Sequence, residues 1–156
     1  MKEWGKRERY EKSVVELVSL IDDDTDDIAK MATVSSILKM NLPHYYWSGF
    51  YRLVGGKLII GPYQGTVGCL EIALGRGVCG TAAEERRTIT VKDVHEFPGH
   101  IACDPRSKSE IVVPIEDHQG NLIGVFDADS EAVGAFDKID AFYLKRIMGG
   151  FFGRAP

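Results

Sequence analysis

Two hairpin signals restrict what this chain can fold into more than any other feature. Trp47 to Val54 and Lys57 to Tyr63 are rich in aromatic and β-branched residues and are joined by Gly55-Gly56. That dipeptide suits the positive φ angles of a two-residue hairpin turn. Glu110 to Ile115 and Asn121 to Asp127 repeat the pattern around Asp117-His118-Gln119-Gly120, and Arg87 to Val91 reads as a further strand. Consecutive hairpins impose antiparallel pairing.

Helical spacing occupies the two ends. Tyr10, Val14, Leu17, Val18 and Ile21 predict a first amphipathic helix. The acidic run Asp22 to Asp27 breaks it, reads first as a solvated turn, and also suits the positive end of a second helix from about Ile28 to Met40. Pro43 ends that helix. A short helix is expected near Thr81 to Arg86. A last one starts at the N-cap residue Asp137, turns Ile139, Phe142, Tyr143 and Ile147 inward, and ends at Gly149-Gly150. The fold class expected is α/β in the α+β sense, an antiparallel sheet with helices packed on it.

With 156 residues and no repeat or linker, residues 1–156 read as a single domain. Net charge is -4 with both signs interspersed, so no basic stripe exists for nucleic acid. Apolar runs such as Ile111 to Ile115 are far too short for a bilayer, and Met1 to Lys6 lacks the apolar stretch of a signal peptide. The expectation is a cytoplasmic protein with no membrane partner. All three cysteines fall between Cys69 and Cys103. In a reducing compartment an odd cluster of this kind suggests redox or metal chemistry rather than structural bridges.

Three sets of residues could carry chemistry. In Trp47-Ser48-Gly49-Phe50-Tyr51, strand alternation puts Trp47 and Tyr51 on one face and Phe50 on the other. Gly49 leaves a gap that two rings could wall for an apolar or sulfur-bearing group, and Tyr63 could contribute from the paired strand. Asp127 and Asp129 share one face at the end of Leu122 to Phe126, continuing the apolar face of Ile123 and Val125, and Glu110 starts the preceding strand. A partly buried acid beside another holds its proton to higher pH and can donate it near neutrality. Cys103 lies near His100, Arg106 and Lys108, cations that favour a thiolate, although Asp104 opposes them. A thiolate with a second thiol in reach can cycle through a sulfenic acid to a disulfide, and Cys69 and Cys79 are the candidates.

Two other patterns carry less. Gly75-Arg76-Gly77-Val78-Cys79-Gly80 matches a dinucleotide fingerprint, but hairpins flank it where a βαβ unit is required. Cys79, His95, His100 and Cys103 could ligate zinc, but no C-x-x-C is present and the spacing fits no common module. No metal and no cofactor are expected.

Taken together, these segments resemble the free methionine-(R)-sulfoxide reductase family, a catalytic branch of the GAF domains. The resemblance runs through Trp47-Ser48-Gly49-Phe50-Tyr51, Gly61-Pro62-Tyr63-Gln64-Gly65 and Gly75 to Ala83, then Asp93-Val94-His95 and Phe97 to Asp104. It continues with Ser109-Glu110-Ile111-Val112-Val113-Pro114 and Gly124 to Ser130, nearly the whole chain. It implies a GAF-like, six-stranded antiparallel sheet flanked by N- and C-terminal helices, and a pocket for free methionine-R-sulfoxide. By resemblance, Cys103 is the nucleophile, and Cys69 and Cys79 are the resolving thiols. Trp47, Tyr51, Glu110, Asp127 and Asp129 belong to the pocket, with Tyr63 added beside them. Ala128 departs from the larger apolar residue common in the family and is expected to loosen packing beneath the site. Thioredoxin is the implied reductant, and a homodimer is allowed for. The competing class is a non-catalytic GAF module that binds a small ligand or registers oxidation.

Overall fold

The computed structural model describes residues 4–101 and 103–156. Met1 to Glu3, part of the amino-terminal segment read above, and Ala102 of the H-I-A-C-D run lie outside the described residues. The order is α1 (Lys6–Leu20), α2 (Asp27–Asn41), β1 (Trp47–Val54), β2 (Lys57–Gln64), β3 (Glu71–Ala73), α3 (Gly77–Glu85), β4 (Ile89–Val91), β5 (Ser109–Glu116), β6 (Leu122–Ser130) and α4 (Lys138–Phe152). The strands form one sheet in the order β3-β2-β1-β6-β5-β4, and every pairing is antiparallel.

The first hairpin closes as its glycines require, with Val54 opposite Lys57 and positive φ at Gly55 and Gly56. The second turns on Asp117, whose carboxylate accepts from the backbone N–H of Gln119 and Asn121. Beside it the β5–β6 register shifts, so that Ile115 faces Gly124 while Glu116 faces Leu122. That shift corrects the expectation for Ile123. Leu122 joins the face of Val125, and Ile123 packs against the opposite cluster.

The sheet carries two apolar layers. On one side α1, α2 and α4 cover Phe50, Ile111, Val113 and Phe126 with Leu17, Val34, Leu38, Leu144 and Met148. The acidic turn serves both of its readings, since Asp22 caps a tight turn and Asp26 accepts from the N–H groups of Ile28 and Ala29 to start α2. Val18 is exposed, because the buried stripe of α1 is narrow and runs through Tyr10, Ser13 and Leu17. Phe142 is likewise exposed, at the rim of the stripe formed by Tyr143, Leu144, Ile147 and Met148. Helix α4 does not end at Gly149-Gly150 but continues to Phe152. Two helical glycines cost about 1 kcal/mol each, and burial of the Phe152 ring against Phe50, 5.5 Å between centroids, offsets that cost.

Asp140 anchors the junction of α1 and α4. Its carboxylate has no solvent exposure and accepts from Tyr10 Oη at 2.6 Å, Lys6 Nζ at 2.6 Å and the Asp137 N–H at 2.8 Å, with His44 Nε2 at 2.8 Å. These partners hold its carboxyl well below the usual carboxylate range despite burial.

On the other side of the sheet, only α3 and the long connections cover Trp47, Tyr51, Leu58, Val112 and Val125. Helix α3 begins at Gly77, earlier than Thr81, and follows the three-residue strand β3, which the sequence pattern did not reveal. The glycines of the dinucleotide-like motif serve this turn. Gly75 and Gly77 adopt positive φ, and a Cβ on Gly80 would collide with the Ala73 carbonyl. This thinly covered face is where the cleft forms.

Candidate active site

A cleft opens between the sheet, the N-terminal turn of α3 and the connections that carry Thr66, Val67 and Gly68 on one side and His100, Cys103 and Ser107 on the other. Trp47 and Tyr51 from β1, Asp127 and Asp129 from β6, Glu110 from β5, Cys79 from α3, and His100 and Cys103 from the later connection all line it. Pairing explains the convergence. Trp47 lies opposite Asp129 and Gly49 opposite Asp127, while Glu110 lies opposite Asp129 across the other edge of β6.

The gap at Gly49 is filled rather than open. A Cβ there would meet the Trp47 ring at 2.7 Å and Tyr63 closer still, so the indole lies folded across the glycine. Tyr63 stacks behind it, 5.2 Å between centroids, and is not among the residues lining the cleft. Tyr63, expected to contribute to the pocket, thus backs the indole. Trp47 Nε1 donates to the Thr66 carbonyl at 2.8 Å, fixing the ring. Ala128, behind the carboxylates, is fully buried in the helix-covered layer.

The carboxylates are crowded and dry. Asp127 is 5 % exposed and Glu110 7 %, and Asp129 is half-buried. Burial first, then the charges of Asp129 and Glu110, push the Asp127 carboxyl well up. Asp129 is raised by burial and by Glu110, with the Ser107 hydroxyl donating to it at 2.8 Å as a partial counterweight. Glu110 is raised by burial, and hydrogen bonding from Asp127 together with the His100 charge acts against that rise. Buried and close together, the three carboxyls oppose one another's ionisation, so each is pushed toward its protonated form. Burial likewise raises the Tyr51 hydroxyl and the Cys79 thiol, whose Sγ lies 3.8 Å from Glu110 Oε2.

Cys69 and Cys103 are joined in a disulfide with their Cα atoms 5.5 Å apart, while Cys79 is a buried free thiol. Cys103 is exposed and Cys69 half-buried. Asp104, the neighbour of Cys103, ties the same two connections. It accepts from Thr66 Oγ1 at 2.6 Å, Tyr46 Oη at 2.9 Å and the Arg106 N–H at 2.9 Å, and these bonds hold its carboxyl well below the usual range. This corrects the list of cations around Cys103. Arg106 is committed to Asp104 and to the Tyr46 ring, Lys108 does not line the cleft, and only His100 does. The zinc set is not assembled, since His95 pairs with Asp93 at the surface and Cys103 is in the disulfide.

Sequence reasoning missed Tyr46, Thr66, Gly68 and Ser107. Gly68 passes so close to Trp47 and Tyr51 that a Cβ would lie 3.1 Å and 3.2 Å from them. No periodic signal marks residues held by loop geometry.

The sequence pattern of the GAF domain family matches residues 16–151. The chain is 44 % identical over 145 residues to GAF domain-containing protein A of Dictyostelium discoideum, covering 92 % of this chain and 90 % of that one. It is 39 % identical over 144 residues to the free methionine-R-sulfoxide reductase of Escherichia coli, covering 92 % and 87 %. Among solved structures, the free methionine-R-sulfoxide reductase from Neisseria meningitidis in complex with its substrate superposes with a TM-score of 0.89 at 39 % identity, over 95 % of this chain and 89 % of that one. With its six-stranded sheet, its cleft and these relatives, the chain belongs to the GAF domain family and, within it, to the family of the free methionine-R-sulfoxide reductases.

Proposed function

We infer that this chain reduces free L-methionine (R)-S-oxide to L-methionine through Cys103, with a dithiol such as thioredoxin restoring the enzyme. One observation carries the reading. Cys103 and a buried cluster of carboxyls raised by their burial face the same cleft, and a second sulfur is already bonded to that of Cys103. Sulfoxide oxygen leaves only when protonated. The Cys103 thiolate attacks the sulfoxide sulfur while Asp127 delivers a proton to the oxygen. Oxygen passes to the cysteine, so methionine departs and Cys103 becomes a sulfenic acid. The Cys69 thiol then attacks that sulfur, releasing water and forming the disulfide. Thiol–disulfide exchange with an external dithiol returns both thiols, and the oxidised dithiol leaves. Glu110 and Asp129 hold the substrate ammonium, and Trp47 and Tyr51 wall the thioether. A reducing, cytoplasmic setting suits the cycle.

The test is methionine production from the free sulfoxide with either dithiothreitol or thioredoxin. Cys103→Ser should be inactive with both. Cys69→Ser should lose thioredoxin-driven turnover far more than dithiothreitol-driven turnover, while Cys79→Ser should keep the two close. An active Cys103→Ser variant would remove the basis of the reading.

A further inference from the structure

Cys79 is the one cysteine outside the disulfide. The Cys79 thiol and the Glu110 and Asp127 carboxylates place one donor atom each within 4.8 Å of one another, and all three residues are buried. Tetrahedral zinc, with Zn–S near 2.3 Å and Zn–O near 2.0 Å, sets sulfur and oxygen about 3.5 Å apart. The Cys79–Glu110 separation is 3.8 Å, close to that spacing before any ion draws the ligands together. Asp127 Oδ1 is buried, and the Asp127 side chain shares its hydrogen bonds with Glu110, Asp129 and Cys79, so the three donor groups already face one another at the cleft.

We propose that Cys79, Glu110 and Asp127 form a site for a thiophilic divalent ion of the zinc–cadmium class, and that this ion and the ammonium of the amino-acid substrate exclude one another. The donor set selects the ion. One thiolate with two carboxylates suits Zn²⁺ or Cd²⁺, whereas Mg²⁺ and Ca²⁺ require six or more oxygens. On binding, the thiol proton and the proton held by the carboxyl cluster pass to solvent. A fourth position faces the cleft and takes water. The ion would occupy the carboxylates that the reductase reading assigns to the ammonium, so the competition rests on that reading and the binding does not.

The disulfide form of the protein isolates the site, because Cys79 is then the only thiol able to ligate. Titration with Cd²⁺ should produce an ultraviolet thiolate-to-cadmium charge-transfer band that saturates at one ion per chain, and excess Mg²⁺ should not displace it. Cys79→Ser should abolish the band and weaken Zn²⁺ binding at least tenfold, read by competition with a chelating indicator. Asp127→Asn should retain the band but weaken binding at least tenfold. Free methionine-R-sulfoxide should lower the apparent Cd²⁺ affinity, whereas its N-acetyl derivative should not. Absence of the band in the wild-type protein overturns the site, whether or not the variants fold. A band untouched by free sulfoxide overturns the exclusion. A band in a protein that produces no methionine leaves the ion site standing and removes the reductase reading.

Discussion

Replacing Asp127 by asparagine tests the proton-donor role directly. The Glu110 and Asp127 donor oxygens lie within 4.8 Å of each other. At an effective dielectric of about 20, two negative charges that close repel by about 3.5 kcal/mol. That repulsion alone favours the singly protonated pair about 350-fold, before desolvation adds to it. Asparagine matches the shape but cannot give up a proton, so kcat should fall by about 10²- to 10⁴-fold, the usual worth of a positioned general acid. The sign of the pH dependence follows from the direction of the shift. The Asp127 carboxyl is raised, so the wild-type rate holds while it is protonated and falls as pH rises through that raised value. In the variant this alkaline limb should move to lower pH, because the neighbouring acids lose a like charge. Stopped-time assays of methionine with dithiothreitol from pH 5 to 10 would measure both effects, on about a unit grid. The fold should tolerate the change, since asparagine matches the shape and neutrality of the protonated carboxyl. A variant within threefold of wild type, with an unaltered alkaline limb, would refute the assignment of the proton to Asp127.

Other perturbations follow from the same geometry. Asp104→Ala removes the acceptor shared by Thr66, Tyr46 and Arg106, so KM for the free sulfoxide should rise several-fold while the melting temperature moves little. Asp140→Ala should cost about 3–5 kcal/mol, because it strips a buried carboxylate from its cationic and hydroxyl partners; chemical denaturation measures it. Since the Asp140 carboxyl is depressed on folding, its contribution is present above the ordinary carboxylate range and is lost as pH falls through the depressed value, so Asp140→Asn should flatten the acid limb of stability. Gly49→Ala should dislodge the indole it would strike, costing about 1–3 kcal/mol and shifting tryptophan fluorescence.

Much of this architecture was legible because its signals are local. Gly55-Gly56, the Asp137 cap and the alternation of Trp47, Phe50 and Tyr51 each act within a few residues, and each took the form expected. The pairing of Asp127, Asp129 and Glu110 was half legible: alternation set their face, but only the β5–β6 register brings Glu110 opposite Asp129. The errors came from tertiary competition. Helix α4 overrides its glycines because Phe152 reaches Phe50, and the gap expected at Gly49 is filled because Trp47 folds over it. The choice between Cys69 and Cys79 was beyond any local rule, since it depends on where two irregular connections meet. There Cys69 meets Cys103, and Cys79 stays apart among the acids.

The Asp104 brace carries a kinetic consequence. When the sulfur–sulfur bond is opened, no covalent link remains between the two connections, yet the hydroxyls of Thr66 and Tyr46 still reach across to the residue next to Cys103. In the cycle proposed above, this brace would keep the freed thiols neighbours, so that closing the ring again would be an encounter at high effective concentration rather than a search. A sulfenic acid held this way would have a short life, leaving little time for further oxygen to reach it.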